Sequence, residues 1–230
     1  MKAALGQFAV SREWQENLAT SVRLMGEAKA AGADLLLLPE GILARDITDP
    51  DIVLKTAQPL DGPFMQGVLE ASKGSALTTL FCIHVPNGKG RVFNVHVAVR
   101  DGAIVAAYRK LHLYDAFSAL ESTNVQPGNE VPPLLEIAGL KCGLMTCYDV
   151  RFPSSPGASR STAPMCCCCR PPGCAASARR HIGTCWSPPA RWRTPAMSSP
   201  PANAARAISA PAWWSTRSAS PSPAPARPRR

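Results

Sequence analysis

The run Leu35-Leu36-Leu37-Leu38-Pro39-Glu40-Gly41 decides how this chain folds. Four aliphatic residues in a row predict a strand buried on both faces, as in sheets that are covered by helices. Pro39 has no backbone N–H, so it ends the strand and leaves the Glu40 carboxylate directly beyond it. The preceding Ala31-Gly32-Ala33-Asp34 predicts a turn out of a helix. We therefore expect a helix–turn–strand unit that ends in an acidic side chain.

Patterns on either side of this run extend the prediction to a layered α/β domain. Residues 2–10 predict a first strand, and a helix opens at Ser11 or its neighbours. That helix has one apolar face at spacings of three and four, made of Trp14, Leu18, Val22, Met25 and Ala28. Two more helices are predicted over residues 51–56 and 63–72, and further strands over residues 77–85, 92–99, 104–108, 134–137 and 143–146.

The composition changes abruptly after Pro153. Residues 154–230 contain no Leu, Val, Phe, Tyr, Lys, Gln, Asp or Glu, and Ala, Ser, Pro and Arg make up 54 of these 77 residues. Residues 1–153 carry 14 basic and 16 acidic side chains, whereas the tail carries 11 Arg and no acid, which accounts for the net charge of +9. Without large aliphatic side chains a segment cannot offset the entropy of ordering, roughly 1–2 kcal/mol per residue. We therefore expect an ordered part up to about Pro153 and a disordered tail.

The genetic code offers an origin for this tail. Met165 and the four residues Cys166–Cys169 are encoded by ATG followed by four TGY codons, where Y is either pyrimidine. The same bases read one position earlier give GTG YTG YTG YTG, which encodes Val-Leu-Leu-Leu. With GC-rich codons, residues 154–173 regroup to ELARRLALDGADVLLLPPAW, the pattern of a helix followed by a buried strand. We therefore hypothesise a single-base slip near codon 154. Resequencing the DNA tests this, since an in-frame ancestral Ser/Pro/Arg tail would refute it.

Two other interpretations of the tail remain open. An Arg-rich segment with four Trp could be a disordered arm that binds nucleic acid, because Arg attracts phosphate and Trp stacks on bases. The run Cys166–Cys169 could instead be a metal or disulfide cluster, although its spacing does not match that of zinc sites. The composition favours the frameshift over both.

Residues 1–153 have the features of a cytoplasmic protein. The N-terminus lacks the long apolar run of a signal peptide, and no window approaches the ~18 apolar residues of a membrane span. Cys82, Cys142 and Cys147 stand at no disulfide-framework spacing, which fits a reducing compartment. These residues hold no basic patch, so a nucleic-acid partner is not expected for this part.

Three reactive side chains follow predicted strands. Glu40 ends the aliphatic run, Lys110 lies in Tyr108-Arg109-Lys110-Leu111-His112-Leu113, and Cys147 lies in Gly143-Leu144-Met145-Thr146-Cys147-Tyr148-Asp149. In α/β sheets the functional crevice lies beyond the carboxyl ends of strands, so the three side chains can converge there. Taken singly they could be a capping acid, a solvated lysine and a core thiol. Taken together they call for a chemical explanation.

At these segments the chain resembles the nitrilase, or carbon–nitrogen hydrolase, superfamily. The three catalytic segments of that family match LLLLPEG, YRKLHL and GLMTCYDVRFP one by one, and the stretch from Leu111 to Asp149 is most similar to the branch of bacterial amidases that act on deaminated glutathione. The resemblance implies a four-layer α-β-β-α sandwich, which residues 154–230 would leave incomplete. It also implies a small linear amide as substrate, no cofactor or metal, and a parent protein that forms a homodimer or larger oligomer.

The resemblance further assigns roles to residues. It implies that Cys147 attacks the amide carbon to form a thioester, that Glu40 transfers protons, and that Lys110 stabilises the negative charge of the tetrahedral intermediate. Glu121 matches a second family Glu that supports the site, with a solvated loop acid as the alternative. His84, His96, Cys82 and Cys142 are expected in the core and His112 in a structural role. The alternative function is a non-catalytic remnant of the frameshift, or a basic-tailed protein associated with nucleic acid.

Overall fold

A computed structural model describes residues 1–116 and 119–152, together with the backbone of two short strands in the tail. The helices are α1 (Trp14–Ala30), α2 (Ile52–Lys55) and α3 (Pro63–Ser72). The strands are β1 (Lys2–Leu5), β2 (Leu35–Leu37), β3 (Thr78–Pro86), β4 (Val92–Arg100), β5 (Ala103–Arg109), β6 (Asp115–Ala116), β7 (Ala119–Leu120), β8 (Leu134–Ile137), β9 (Leu140–Thr146), β10 (Ala163–Cys167) and β11 (Ala212–Ser215). Two 3-10 turns cover Glu121–Thr123 and Cys147–Arg151.

The larger sheet has six strands in the order β11-β1-β2-β3-β4-β5. β1, β2 and β3 are parallel, and helices connect them because parallel neighbours need a crossover. β3, β4 and β5 form an antiparallel meander. A turn at Asp101-Gly102 joins β4 to β5, with both residues at positive φ. This meander brings the end of β5 back alongside the start of β4, close to the end of β2.

Alternating side chains give this sheet two apolar faces. In β3, Phe81 and Ile83 point to a core shared with α1 and α3, whereas Leu80 and Cys82 point to the opposite core. The period of two in a strand produces this division, and burial on both faces explains the continuous apolar runs Leu35–Leu37 in β2 and 80–83 in β3. The helical face of α1 enters the first core through Leu24, Met25 and Ala28.

A second sheet covers the other face. It has the order β10-β9-β8, with β8 and β9 antiparallel and β10 parallel to β9. Leu135, Ile137, Cys142 and Leu144 of this sheet share one core with Leu80 and its neighbours. The described residues therefore form the helix–sheet–sheet part of the expected sandwich.

The first strand and helix differ in extent from the sequence prediction. β1 ends at Leu5, not at residue 10, because the Gly6 N–H donates to the Leu37 carbonyl (2.9 Å) and the chain then leaves the sheet. The helix begins at Trp14 rather than at Ser11. The Ser11 hydroxyl instead accepts from the Glu13 N–H at 3.1 Å and donates to Glu16 at 2.6 Å. Ser11 therefore stabilises the start of the helix without being part of it.

The tail also contributes more to the sheets than its composition predicts. β10 pairs with β9 over five residue positions, and β11 pairs antiparallel with β1 over four. The sequence analysis did not predict these two short strands, although the expected incomplete α/β sandwich is confirmed. Backbone groups make this pairing. Strand pairing therefore depends less on side-chain composition than core packing does. The rest of residues 153–230, like residues 117–118, lies outside the described residues.

Within the part of the chain that the structure describes, no helix is long and apolar enough to cross a membrane.

Candidate active site

Glu40 occupies a tight turn at the carboxyl end of β2. The Leu38 N–H donates to the Leu80 carbonyl and the Ile42 N–H to the Cys82 carbonyl, so β3 holds the chain on both sides of the turn. Gly41 completes the turn at φ +66°, a conformation that favours glycine. An added Cβ at Gly41 would lie 3.2 Å from the His84 ring. The turn therefore presents the Glu40 carboxylate at a fixed place near the ends of β3 and β4.

Lys110 follows the last residue of β5 and has a buried side chain, only 2% exposed. Its backbone is held on both sides, because its N–H donates to the Asn94 carbonyl (2.8 Å) and its carbonyl accepts from the Gly128 N–H (2.8 Å). The lysine Nζ lies 3.1 Å from Glu40 Oε1. The sheet thus brings together two residues that are separated by 70 positions in the chain.

Glu121 opens the 3-10 turn that follows the β6–β7 hairpin. Its two carboxylate oxygens lie 3.0 and 2.8 Å from Lys110 Nζ, and one of them also accepts from the Tyr114 N–H at 2.7 Å. The side chain is 18% exposed. The interpretation of Glu121 as a solvated loop acid is therefore wrong, and the carboxylate belongs to the cluster around the lysine.

Cys147 is the first residue after β9 and begins the second 3-10 turn. Its φ of +48° is the left-handed region, which residues other than glycine seldom adopt. Its side chain is half-buried and interacts electrostatically with Lys110. The structure therefore brings all four residues predicted from the sequence into one cluster, with Lys110 at its centre.

The charges around Lys110 determine its protonation. Burial alone lowers the pKa of Lys110, but Glu40, Glu121 and Cys147 favour the charged form and raise the pKa above its ordinary value. Lys110 is therefore an ammonium at neutral pH. A buried ammonium between two carboxylates can stabilise a developing negative charge, but it cannot accept a proton.

Asn94 is a member of the cluster that the sequence did not reveal. Its side-chain amide donates to Glu40 Oε1 at 2.8 Å, on the same oxygen that Lys110 contacts. Asn94 is buried, and its Oδ1 has no hydrogen-bond partner among the described residues. The residue lies within the apolar alternation of β4, directly opposite His84 of β3. No local pattern marks it, because its role depends on the pairing of β3 with β4.

Tyr108 and Asp149 form a second buried pair that the sequence did not single out. The Tyr108 hydroxyl donates to the Asp149 carboxylate, and burial followed by that negative charge raises the pKa of Tyr108. Tyr108 therefore stays protonated and acts as a donor. Tyr108 lies two residues before Lys110, and Asp149 lies two residues after Cys147. This proximity in the sequence is the signal that could have identified them.

The remaining histidines and cysteines lie where the sequence predicted. Cys82 and Cys142 are fully buried in the core between the sheets. His96 is fully buried, with Nδ1 3.2 Å from the Thr146 hydroxyl, and His84 is also buried. Burial lowers the pKa of both histidines to about 4, so both are neutral at pH 7. His112 stacks on Phe152 with the ring centroids 3.9 Å apart, which is a structural contact.

No group of three His, Cys, Asp or Glu side chains suited to a metal ion occurs among the described side chains. The alternative metal cluster at Cys166–Cys169 lies outside them.

Comparison with known proteins assigns this chain to a family. The family model for carbon–nitrogen hydrolases matches residues 2–192, so the chain belongs to that family. Among solved structures, an amidase of the nitrilase superfamily from Nesterenkonia AN1 superposes with a TM-score of 0.63 at 23% identity, covering 73% of this chain and 65% of that one. A CN-hydrolase superfamily protein from Xanthomonas campestris superposes with a TM-score of 0.58, covering 66% and 55%.

Curated relatives narrow the resemblance to one branch. The deaminated glutathione amidase of Escherichia coli O157:H7 is 50% identical over 153 residues, which cover 66% of this chain and 58% of that protein. The human deaminated glutathione amidase is 31% identical over 163 residues, covering 65% and 49%. The chain therefore spans between half and three fifths of the length of these relatives. The aligned length in the bacterial case equals that of the segment ending at Pro153, whereas the family model extends further.

Proposed function

We propose that this chain derives from a thiol amidase that hydrolyses the carbon–nitrogen bond of a small linear amide of the deaminated-glutathione type. The observation that supports it most is the cluster in which Lys110 Nζ lies within 3.1 Å of both Glu40 and Glu121 and interacts with the Cys147 thiol. The 50% identity to a deaminated glutathione amidase supports the choice of substrate class.

The first half of the reaction forms a thioester. Glu40 accepts the thiol proton, and the Cys147 sulfur attacks the amide carbon, so that the carbonyl oxygen becomes negatively charged. The ammonium of Lys110 stabilises that oxygen. When the tetrahedral intermediate collapses, the carbon–nitrogen bond breaks and Glu40 returns the proton to the departing amine, which leaves as ammonia.

The second half regenerates the thiol. Glu40 accepts a proton from water, and the resulting hydroxide attacks the thioester carbon. The carbon–sulfur bond then breaks, the carboxylic acid leaves and the proton returns to Cys147. Glu121 keeps Lys110 in place and charged throughout, while Asn94 holds the Glu40 oxygen that faces the lysine.

The test is ammonia release from deaminated glutathione and from simple aliphatic nitriles. It uses a restored-frame form, in which one base is reinstated upstream of codon 154. We expect the amide to be the better substrate, and both Cys147→Ala and Cys147→Ser to abolish turnover and the thioester adduct seen by mass spectrometry. Near-normal turnover by Cys147→Ser would refute the thiol mechanism. Preference for nitriles would refute the branch assignment.

We further propose that the 230-residue chain as written is a non-catalytic remnant of this enzyme. Residues 154–230 carry none of the Leu or Val residues that a buried strand and its helix require. The reactive side chains are present, but the sequence of residues 154–230 does not have the pattern of such a strand and helix.

A further inference from the structure

A single buried carboxylate joins the two halves of the site. Asp149 lies two residues after Cys147, and its side chain is 3% exposed. Its Oδ1 accepts from the His112 N–H at 2.9 Å and lies 2.8 Å from His112 Nδ1. Its Oδ2 accepts from the Tyr108 hydroxyl and from the Thr146 N–H, the latter at 3.1 Å. Four contacts occupy the two oxygens, so no side chain without two acceptor oxygens can replace it.

The partners of this carboxylate lie on both sides of the reactive residues. Tyr108 is two residues before Lys110, and His112 is two residues after it. Thr146 immediately precedes Cys147. The Asp149 side chain therefore connects the turn that carries the thiol to the segment that carries the ammonium, at two points that flank the lysine.

The backbone at Cys147 needs such a restraint. A left-handed conformation at a residue other than glycine costs on the order of 1–3 kcal/mol and persists only where the surroundings impose it. Asp149 and Thr146 form a reciprocal capping box, in which each side chain binds the backbone N–H of the other. This box spans Cys147 and fixes its conformation.

The end of β9 has an independent anchor. The Thr146 hydroxyl lies 3.2 Å from His96 Nδ1 and 3.7 Å from Cys82 Sγ, both in the core between the sheets. Loss of the Asp149 contacts therefore leaves β9 in its sheet and releases only the turn that follows it.

We propose that Asp149 is a positioning residue that sets the geometry between the Cys147 thiol and the Lys110 ammonium. The proposal rests on the proposed function only for the roles of those two residues. Asp149→Asn keeps the shape of the side chain but replaces one acceptor oxygen with an NH2 donor, so the backbone N–H of either His112 or Thr146 loses its acceptor. The thiol then moves relative to the positive charge that promotes its ionisation.

The experiment measures alkylation of the purified 230-residue chain by iodoacetamide, in reducing buffer that is exchanged just before each time course. Trypsin releases residues 142–151 as one peptide, which contains Cys147 and the buried Cys142. Fragment ions then give a separate rate for each cysteine. Cys142 reports global opening within the same molecule, and Asp61→Asn, an exposed acid in a distant turn, serves as the matched control.

We expect Asp149→Asn to slow alkylation of Cys147 at pH 7 about tenfold or more and to move its rate profile to higher pH, with Cys142 still protected. Displacements of this kind at a reacting group can cost about 10²-fold. Tyr108→Phe removes a single donor and should slow Cys147 by a smaller factor. Asp61→Asn should match the unsubstituted chain.

An unchanged rate and pH profile for Cys147 would overturn the proposal. If Cys142 also loses its protection in Asp149→Asn, that variant unfolds and Tyr108→Phe becomes the deciding variant. Slower alkylation of Cys147 in Tyr108→Phe, with Cys142 still protected, would support the proposal. An unchanged Cys147 rate in Tyr108→Phe would overturn it. The readout does not require amide hydrolysis, so an inactive chain leaves this test valid.

Discussion

Lys110 lies at the centre of the charged cluster in this site. Its ammonium is buried, contacts two carboxylates and interacts with the thiol, and these neighbours raise its pKa despite the burial that lowers it. Because both carboxylates face this one ammonium, removal of Lys110 would also affect Glu40 and Glu121. Removing the lysine leaves like charges close together in a site shielded from water, where their repulsion is strong.

Substitutions at Lys110 and Glu40 are expected to reduce turnover without removing the thiol. In the restored-frame form, Lys110→Ala and Glu40→Gln should each lower kcat for ammonia release by about 10²–10⁴, the range for a lost acid–base or oxyanion group. Lys73→Ala is the matched control, because Lys73 forms an exposed ion pair with Glu70. Wild-type turnover by Lys110→Ala would exclude an electrostatic role for the lysine.

The two buried histidines predict how stability depends on pH. The pKa of His84 and of His96 is about 4 in the folded chain and about 6.5 when unfolded, so between these values the unfolded chain binds more protons. Stability is then complete above pH 6.5 and decreases as the pH falls towards 4, by up to about 3 kcal/mol per histidine.

The measurement is the urea midpoint of the 230-residue chain between pH 4.5 and 7.5. The midpoint should fall with decreasing pH, and His96→Asn should make the slope shallower, whatever that variant does to stability at pH 7. Equal slopes for the two proteins would show that His96 is not held neutral by the fold.

At the scale of elements, the site exists because four strand ends and turns meet. The turns after β2, β5 and β9 carry Glu40, Lys110 and Cys147, and the 3-10 turn after β7 carries Glu121. The loop that contains Gly128 also contacts the lysine segment, because the Gly128 N–H donates to the Lys110 carbonyl. A Cβ at this glycine would lie 2.3 Å from the Arg109 carbonyl oxygen, which no backbone tolerates.

Gly128→Ala is therefore expected to displace this loop and the lysine segment with it. Relieving the contact requires a backbone shift, and overpacking of this kind costs typically about 1–3 kcal/mol. Thermal unfolding of the 230-residue chain measures the change. Gly26→Ala is the matched control, because Gly26 is exposed within α1 and an added Cβ meets nothing within 4 Å. It should stabilise the helix by roughly 0.5–1 kcal/mol. A Gly128→Ala protein as stable as the parent would contradict the close approach.

At the scale of the whole molecule, we expect the tail to determine whether the proposed site works. The described strands β10 and β11 pair with β9 and β1, but their composition lacks the aliphatic residues that would fill a core. In the shifted frame, Cys166–Cys169 becomes Val-Leu-Leu-Leu, a typical buried strand. The frameshift therefore remains a hypothesis. The genetic code supports it, and so does the position of β10, which overlaps this run of cysteines.

Expression of the 230-residue chain beside the restored-frame form tests this directly. We expect the chain as written to give a lower soluble yield and no measurable ammonia release. It lacks the aliphatic residues that would cover the open side of the second sheet, and its six tail cysteines form intermolecular disulfides in air. Comparable activity of the two forms would show that the tail is a functional part of the protein.

The restored-frame form is also expected to be a homodimer or larger, as the resemblance to its family implies. Size-exclusion chromatography with light scattering measures its mass. A monomer at micromolar concentration would contradict the expectation.

The sequence by itself determined the local units and the reactive residues. An aliphatic run that ends in Pro-Glu-Gly specifies a buried strand with an acid at its end, and Glu40, Lys110, Cys147 and Glu121 could each be named because their motifs are contiguous in the chain. The strand at residues 134–137 and the helix at residues 63–72 were predicted with their observed bounds. Such patterns depend on neighbours within a few residues, which a sequence displays directly.

Only the tertiary structure decided how these residues act on one another. Asn94 has no motif and reaches Glu40 solely because β4 lies beside β3 and near the end of β2. The protonation of Lys110 depends on carboxylates 70 and 11 positions away, and the Asp149 contacts join segments about 40 positions apart. Charge and hydrogen bonding act over a few ångströms in space, whatever the separation along the chain, so these properties follow from the fold and not from any local pattern.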